Sequence, residues 1–432
     1  MSVRNDVAST EVQLASFTRR FVVLSTLRWF PTGLEIPVIV VLMQSRGLSL
    51  AEIGLVAATQ SLVVVVLELP TGGLADALGR RPVLLAASVF DVVAVALLLT
   101  ARSPAGFLAA AVVQGMFRAL ESGPLESWYV DASLEVDVRA DIERGLARAT
   151  TGLGLAIAGG ALTAASLVAF APVGGADALA VPIAAALVLR FVDMAAIARL
   201  VTETRRRTGF AGARASVAAA PRVVRSTLGL VASSSALLAL VAVELLWGAG
   251  MVGVELFSGP RLVDLLGDAE QGVAVFGVAA ALGWGISAMG SAMSARLTST
   301  LGRDPARAGS VLRVAQGAAV GVMAVVGGPL GLVTGYLGFY LVHGAANVVH
   351  YGMVHRLVDA DHRTTVLSAH SLASRLGGAA SGVGLGALAT STSIPLALAL
   401  AAVLLAAAAP LYRVARRGRP LVPVVERQPS VA

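Results

Sequence analysis

LRWFPTGLEIP, Leu27 to Pro37, interrupts one of the most apolar runs of the chain, FVVLSTLRWFPTGLEIPVIVVLM. An arginine, a glutamate and two prolines stand inside a segment otherwise suited to lipid. Either the segment does not cross a membrane, or the charges have a task within it.

The rest of the chain decides for the membrane. Of 432 residues, 56% are hydrophobic and only 14% charged, where a soluble domain carries ~25% charged residues. Mean hydropathy is +0.81. Too little polar residue is present to cover a water-facing surface. The formal charge of +7 does not point to nucleic acid, because the basic residues lie between apolar runs. All 33 of them are arginine, a bias that fits GC-rich coding. Cysteine is absent, so no disulfide framework or thiolate metal site is expected. The polar opening MSVRNDVASTEVQLASFTRR is not a secretory signal, since the apolar run after it is too long.

A membrane helix needs ~20 mostly apolar residues to cross ~30 Å. That rule predicts twelve spans, at about 19–43, 52–72, 82–101, 105–129, 146–171, 178–199, 230–257, 272–295, 308–327, 330–354, 366–390 and 394–413. With the N-terminus inside, 26 arginines fall on cytoplasmic segments, three on external loops (Arg46, Arg102, Arg261) and four within spans (Arg28, Arg118, Arg190, Arg375). The positive-inside rule then places both termini in the cytoplasm. The longest internal loop, residues 202–227, is expected to be a basic cytoplasmic linker beside anionic lipid. It separates an N-terminal six-helix bundle (1–201) from a C-terminal one (228–413), with a tail at 414–432. The expected fold class is therefore all-α and integral to the membrane, with twelve transmembrane helices in two pseudo-symmetric bundles. Paired bundles of this kind occur in secondary transporters, with the substrate site between them.

Loop 2–3 reads ELPTGGLADALGRRPVLL. Its core, Gly73, Asp76, Gly79, Arg80 and Arg81, resembles the loop signature of the major facilitator superfamily, with Ala77 in place of the usual basic residue. A degenerate copy stands in loop 8–9, where Gly302-Arg303 matches Gly79-Arg80. Glycines permit a tight turn with positive φ. Asp76 is suited to accept amide hydrogen bonds at a helix N-terminus. Arg80 and Arg81 are expected to pair with acids at the end of span four, Glu126 or Asp131. The resemblance implies a latch that holds one conformation during alternating access; the alternative is a plain loop staple with positive-inside charges. QGMFRALESGPLESWYVD, at the end of span four, is similar to a drug-efflux-like bacterial subgroup in Arg118, Ala119, Ser122, Gly123, Glu126, Ser127 and Trp128. It departs from the antiporter signature, because Arg118 follows Gln114-Gly115 and span five lacks a Gly-Pro pair.

Ionisable residues at mid-bilayer cost ~2.5–3.5 kcal/mol or more and need a partner or a wet cavity. The clearest are Arg28 and Glu35 in span one, Arg118 and Glu121 in span four, Glu244 in span seven, and His343 and His350 with Asn347 in span ten. The resemblance implies that these four spans line the central cavity. Arg28 and Glu35 share a face two turns apart, and Arg118 and Glu121 are adjacent. Pro31, Gly33 and Pro37 are expected to break span one between its two charges. Arg28 and Arg118 suit either pairing with Glu121 or Glu35 or contact with substrate. His343 suits either an interhelical hydrogen bond or proton transfer. Asp91 and Arg190 read as a structural pair, and Glu68 and Glu255 as solvated residues near the interfaces. The histidines show no metal-ligand spacing, and no nucleophile elbow or phosphate loop suggests an enzyme.

These features predict a secondary transporter, without cofactor, that exports small amphipathic compounds against protons. The alternative is an uptake symporter or facilitator for a small anionic metabolite held by Arg28 and Arg118. Glu244, with no partner in its own span, is the first candidate for the proton carrier. Substrate, protons and the bilayer are the expected partners, and a monomer is the form the resemblance implies.

Overall fold

The structure is a computed structural model and describes residues 2–203, 209–358 and 360–417. Regular structure among these residues is helical throughout. The first half comprises α1 (Ser2–Glu35), α2 (Ile39–Ser45), α3 (Leu50–Gly72), α4 (Leu74–Leu78), α5 (Arg80–Thr100), α6 (Pro104–Glu121), α7 (Pro124–Val136), α8 (Ile142–Ala169) and α9 (Ala176–Leu200). A bridging helix, α10 (Gly209–Ala232), leads to α11 (Ser235–Leu266), α12 (Ala269–Thr300) and α13 (Pro305–Val325). The second half ends with α14 (Pro329–Leu357), α15 (Ala360–Ser391), α16 (Ile394–Ala407) and α17 (Leu411–Arg417).

Taken as single broken rods, α1–α2, α6–α7 and α16–α17 join the remaining long helices to give the expected twelve-rod fold. Among the described residues, ten helical stretches are long and apolar enough to cross a membrane. The other two rods are α6, which ends on Arg118 and Glu121, and α15, which is rich in serine and glycine. Helix starts follow local chemistry. Ser49 and Glu52 form a capping box at α3. Ser103, Asp141, Ser234, Asp268, Asp304 and Ser393 each accept a backbone N–H at the start of the next helix.

Three expectations need correction. Span one is helical through Pro31 and Gly33, and its break lies at residues 36–38, beyond Glu35 rather than between the charges. Pro37 has no N–H to continue the ladder. Gly33 serves packing: a Cβ there would strike the Ile157 carbonyl and Gly160 of α8. Span four is two helices, parted where Gly123 takes φ +92° ahead of Pro124. The bridge is not an irregular linker, because residues 209–232 form α10. Arg205, Arg206, Arg207 and the tail beyond residue 417 lie outside the described residues.

The two halves repeat one packing scheme. The first rod packs on the fifth in each, α1 on α8 and α11 on α15. The second crossing is as close as the first, for a Cβ on Gly248 would meet the Ser374 backbone. Small residues allow such approach where packing, not water, drives helix association. Each fifth rod also crosses to the other half, α15 to α3 and α8 to α12.

Core distribution separates the two ends of the molecule. At the end opposite loop 73–79, one apolar core runs through both halves and includes Val41, Leu42, Ile53, Phe257, Phe276 and Leu385. At the motif end each half has its own core, around Leu24, Trp128 and Tyr129 in the first and Leu240, Val354 and Tyr412 in the second. The halves are joined at the far end, where Ala51 N–H donates to Thr390 Oγ1 at 2.9 Å and Gly175 N–H donates to Glu270 at 2.7 Å.

Candidate functional site

Between the halves lies a cavity of about 510 Å³. The first half supplies Thr32, the α2 residues Ile39, Val40 and Met43, the α3 residues Val56 and Gln60, and Arg118. The second half supplies Trp247, Met251 and Glu255 from α11, Trp284 and Ser287 from α12, and Tyr336, Tyr340 and His343 from α14. Spans one, four, seven and ten all reach the cavity, as expected, but spans two and eight line it as well. Its second-half wall is aromatic: Tyr336 and Tyr340 lie 4.8 Å apart by ring centroid, and Trp247 stacks on His343 at 5.5 Å.

Glu255 is the residue that sequence reasoning misplaced. It is exposed, as expected of a solvated acid, but to this cavity, and it makes no ion pair among the described residues. The signal was available, since Trp247, Met251 and Glu255 fall at i, i+4 and i+8 on one face of α11.

A side cavity continues from the central one into the first half, lined by Glu35 and sharing Thr32, Gln60 and Arg118 with it. Here the predicted pairings are replaced. Arg28 faces Asp193 of α9 at 3.6 Å, and Glu35 faces Arg190 of α9 at 3.1 Å. Arg190 also pairs with Asp91 of α5 at 3.0 Å, as expected, and donates to the Arg28 carbonyl and Thr32 hydroxyl. Arg118 pairs with its neighbour Glu121 at 3.4 Å and lies over Trp29. Phe117 stands among the three guanidiniums of Arg28, Arg118 and Arg190 at 5.4–5.9 Å, presenting its ring to each. Arg28 and Glu121 line a separate pocket with Trp29 and Glu126. No Arg28 guanidinium nitrogen has a hydrogen-bond partner among the described residues, although the residue is buried.

The second half holds another buried network. Glu244 has two partners from other helices: Arg313 of α13 at 3.4 Å and His350 of α14 at 3.3 Å. Its lack of a partner within its own span was thus no guide. Arg313 was counted among the cytoplasmic loop arginines, yet it is fully buried and donates to Gln316 at 2.8 Å. Gln316 lies 3.4 Å from His343 Nδ1, and Asn347 lies 3.0 Å from His343 Nε2. His350 bonds Tyr412 at 2.9 Å. Of the span-ten stripe, only His343 reaches the central cavity; Glu244 and His350 are closed within the half.

At the motif end, Arg80 binds Asp131 through Nε at 3.1 Å and through a second, shorter contact, and it reaches Asp76 at 3.4 Å. Asp131 is therefore the partner that the loop signature selects, whereas Arg81 donates to the Ala198 carbonyl and Glu126 lines the pocket beside Arg28. Gly79 has φ +98°, and a Cβ there would also meet the Glu203 carboxylate at 2.7 Å. Gly73 has φ −92°, so its need is different: Ser216 of α10 sits directly against it.

A sequence model described as the Major Facilitator Superfamily matches residues 21–381. No curated protein sequence matches the chain. Several solved structures superpose along nearly the whole length. The nucleoside transporter NupG gives TM-score 0.68 at 11% identity, covering 93% of this chain and 99% of that one. A bacterial homologue of the human lysosomal transporter Spinster, inward-facing and unoccupied, gives 0.71 at 13%, covering 94% and 97%. A bacterial homologue of the human drug peptide transporters gives 0.68 at 13%, covering 94% and 98%.

Proposed function

Because the chain belongs to the Major Facilitator Superfamily of membrane transporters, we propose that it exports small amphipathic organic cations in exchange for protons, by alternating access. The observation that carries this reading is Glu255, a carboxylate that has no ion pair among the described residues and faces an aromatic cavity wall. An organic cation gains from a carboxylate and from ring faces together, while the aliphatic side formed by Ile39, Val40 and Met43 accepts its apolar part.

The anion-uptake reading rests on Arg118, which also lines the cavity. It is the weaker of the two, since Arg118 is already paired with Glu121 and Arg28 is turned to Asp193. The working arrangement is a monomer in the cell membrane with both termini cytoplasmic, two six-helix bundles (1–201 and 228–413), and loop 73–81 acting as the cytoplasmic latch. The core split at the motif end fits a form whose cytoplasmic side is the one that opens.

Proteoliposomes test this directly. Tetraphenylphosphonium and benzoate serve as cationic and anionic probes, with and without an imposed pH gradient. Cation flux driven by the gradient is the expected result. Benzoate flux without cation flux would replace this reading with the uptake one.

A further inference from the structure

We propose that the buried charge cluster of the first half, formed by Glu35, Asp91, Arg190, Arg28 and Asp193, is a proton-binding site that holds one proton between Glu35 and Asp91. This rests on the reading of the protein as a proton-coupled carrier, but the binding itself is testable without transport.

The first argument is a count of charge. Three carboxylates meet two guanidiniums within direct contact. The nearby Arg118 does not correct the deficit, because it brings Glu121 with it. Among the described residues a further cation, Arg375 of α15, stands near Arg118 and Glu121, and it brings Glu68 with it at 3.6 Å. The chain has no lysine, its five histidines all lie in the second half, and Arg144 and Arg148 of the neighbouring α8 are exposed at the motif end. A surplus negative charge in the low-dielectric interior is costly, and a bound proton removes it.

The second argument is geometric. One guanidinium, Arg190, serves both Glu35 at 3.1 Å and Asp91 at 3.0 Å, and it compensates only one of them. Asp91 Oδ1 is buried and has no hydrogen-bond partner among the described residues. Asp193 has its own cation in Arg28.

The third argument is access. Glu35 opens on the side cavity that joins the central one, while Arg28 opens on a separate pocket beside Glu126. The cluster therefore stands between two spaces, as a site that exchanges a proton with either must. The second-half network offers no such surplus. Arg313 balances Glu244 there, and the remaining members are histidine, glutamine, asparagine and tyrosine side chains that need carry no charge.

Infrared difference spectroscopy on the full chain in nanodiscs, titrated across neutral pH in light and heavy water, reads neutral carboxyl groups. The wild type should show a titrating carboxyl band. Either Glu35→Gln or Asp91→Asn alone should abolish it, because each removes the surplus charge. Glu244→Gln and Glu255→Gln should keep it. Absence of the band in the wild type, its persistence in either cluster variant, or its loss in Glu255→Gln overturns the proposal. If the cluster variants do not fold, the wild type with the Glu255 variant still decides. A wild type that shows the band yet carries no gradient-driven tetraphenylphosphonium flux would sink the transport reading and leave the proton site standing.

Discussion

Arg313 and Glu244 meet at 3.4 Å with almost no exposure, on helices whose residues stand 69 positions apart in the chain. Neither would be tolerable there alone. A buried ion that loses its partner is left uncompensated at a cost of about 3–5 kcal/mol, whereas loss of both charges together is far milder. Arg313→Met should therefore lower thermal stability in detergent sharply, and the double variant Arg313→Met with Glu244→Gln should recover most of the loss. Equal instability of single and double variants would show that the pair does not compensate itself.

Glu255 makes the opposite prediction. It faces the cavity and pairs with no cation among the described residues, so Glu255→Gln should leave folding within ~0.5 kcal/mol of wild type. Binding of tetraphenylphosphonium should weaken about tenfold, a change of ~1.4 kcal/mol. Equilibrium dialysis of the purified protein gives the affinity, and unaltered affinity would remove Glu255 from the substrate site.

Loop 73–81 should act on turnover rather than on assembly. Asp76→Asn and Asp131→Asn should both slow transport in vesicles without lowering membrane expression. Asp131→Asn should be the more severe, because its contact with Arg80 is the more sheltered and the Asp76 side chain is 63% exposed. Exposed i,i+4 pairs contribute only ~0.3–0.5 kcal/mol. Normal turnover in both variants would reduce the loop to a staple.

The absence of cysteine makes the joined far end accessible to labelling without background. Ser287→Cys places a thiol in the cavity. It should react with an impermeant maleimide from the motif side only. Gly54→Val, whose side chain would collide with the Gly382 carbonyl of α15, should part α3 from α15 and admit the reagent from the far side. Labelling that stays one-sided would mean that another contact holds the far end shut.

Much of this was legible before any coordinates. Loop 73–81 was readable because its chemistry is local, with Gly79 needing positive φ and Arg80 needing a nearby acid. The roles of Gly33 and Gly73 were not readable, because each is set by a helix distant in the chain, α8 for the first and α10 for the second. Arg313 lies inside the predicted span 308–327, but its burial was not readable, because its counter-charge, Glu244, comes from a helix distant in the chain.

The sequence by itself determined the number of membrane helices, their grouping into halves, and the family motif. These depend on the length of apolar runs, on capping residues and on short-range turns. Only the tertiary structure decided what LRWFPTGLEIP is for. Its Arg28 and Glu35 do not brace Arg118 and Glu121; they meet Asp193 and Arg190, more than 150 residues along the chain. The physical reason is that a buried charge is stabilised by whichever opposite charge packing brings within a few ångströms. Packing follows from the shapes of whole helices, which no single segment specifies.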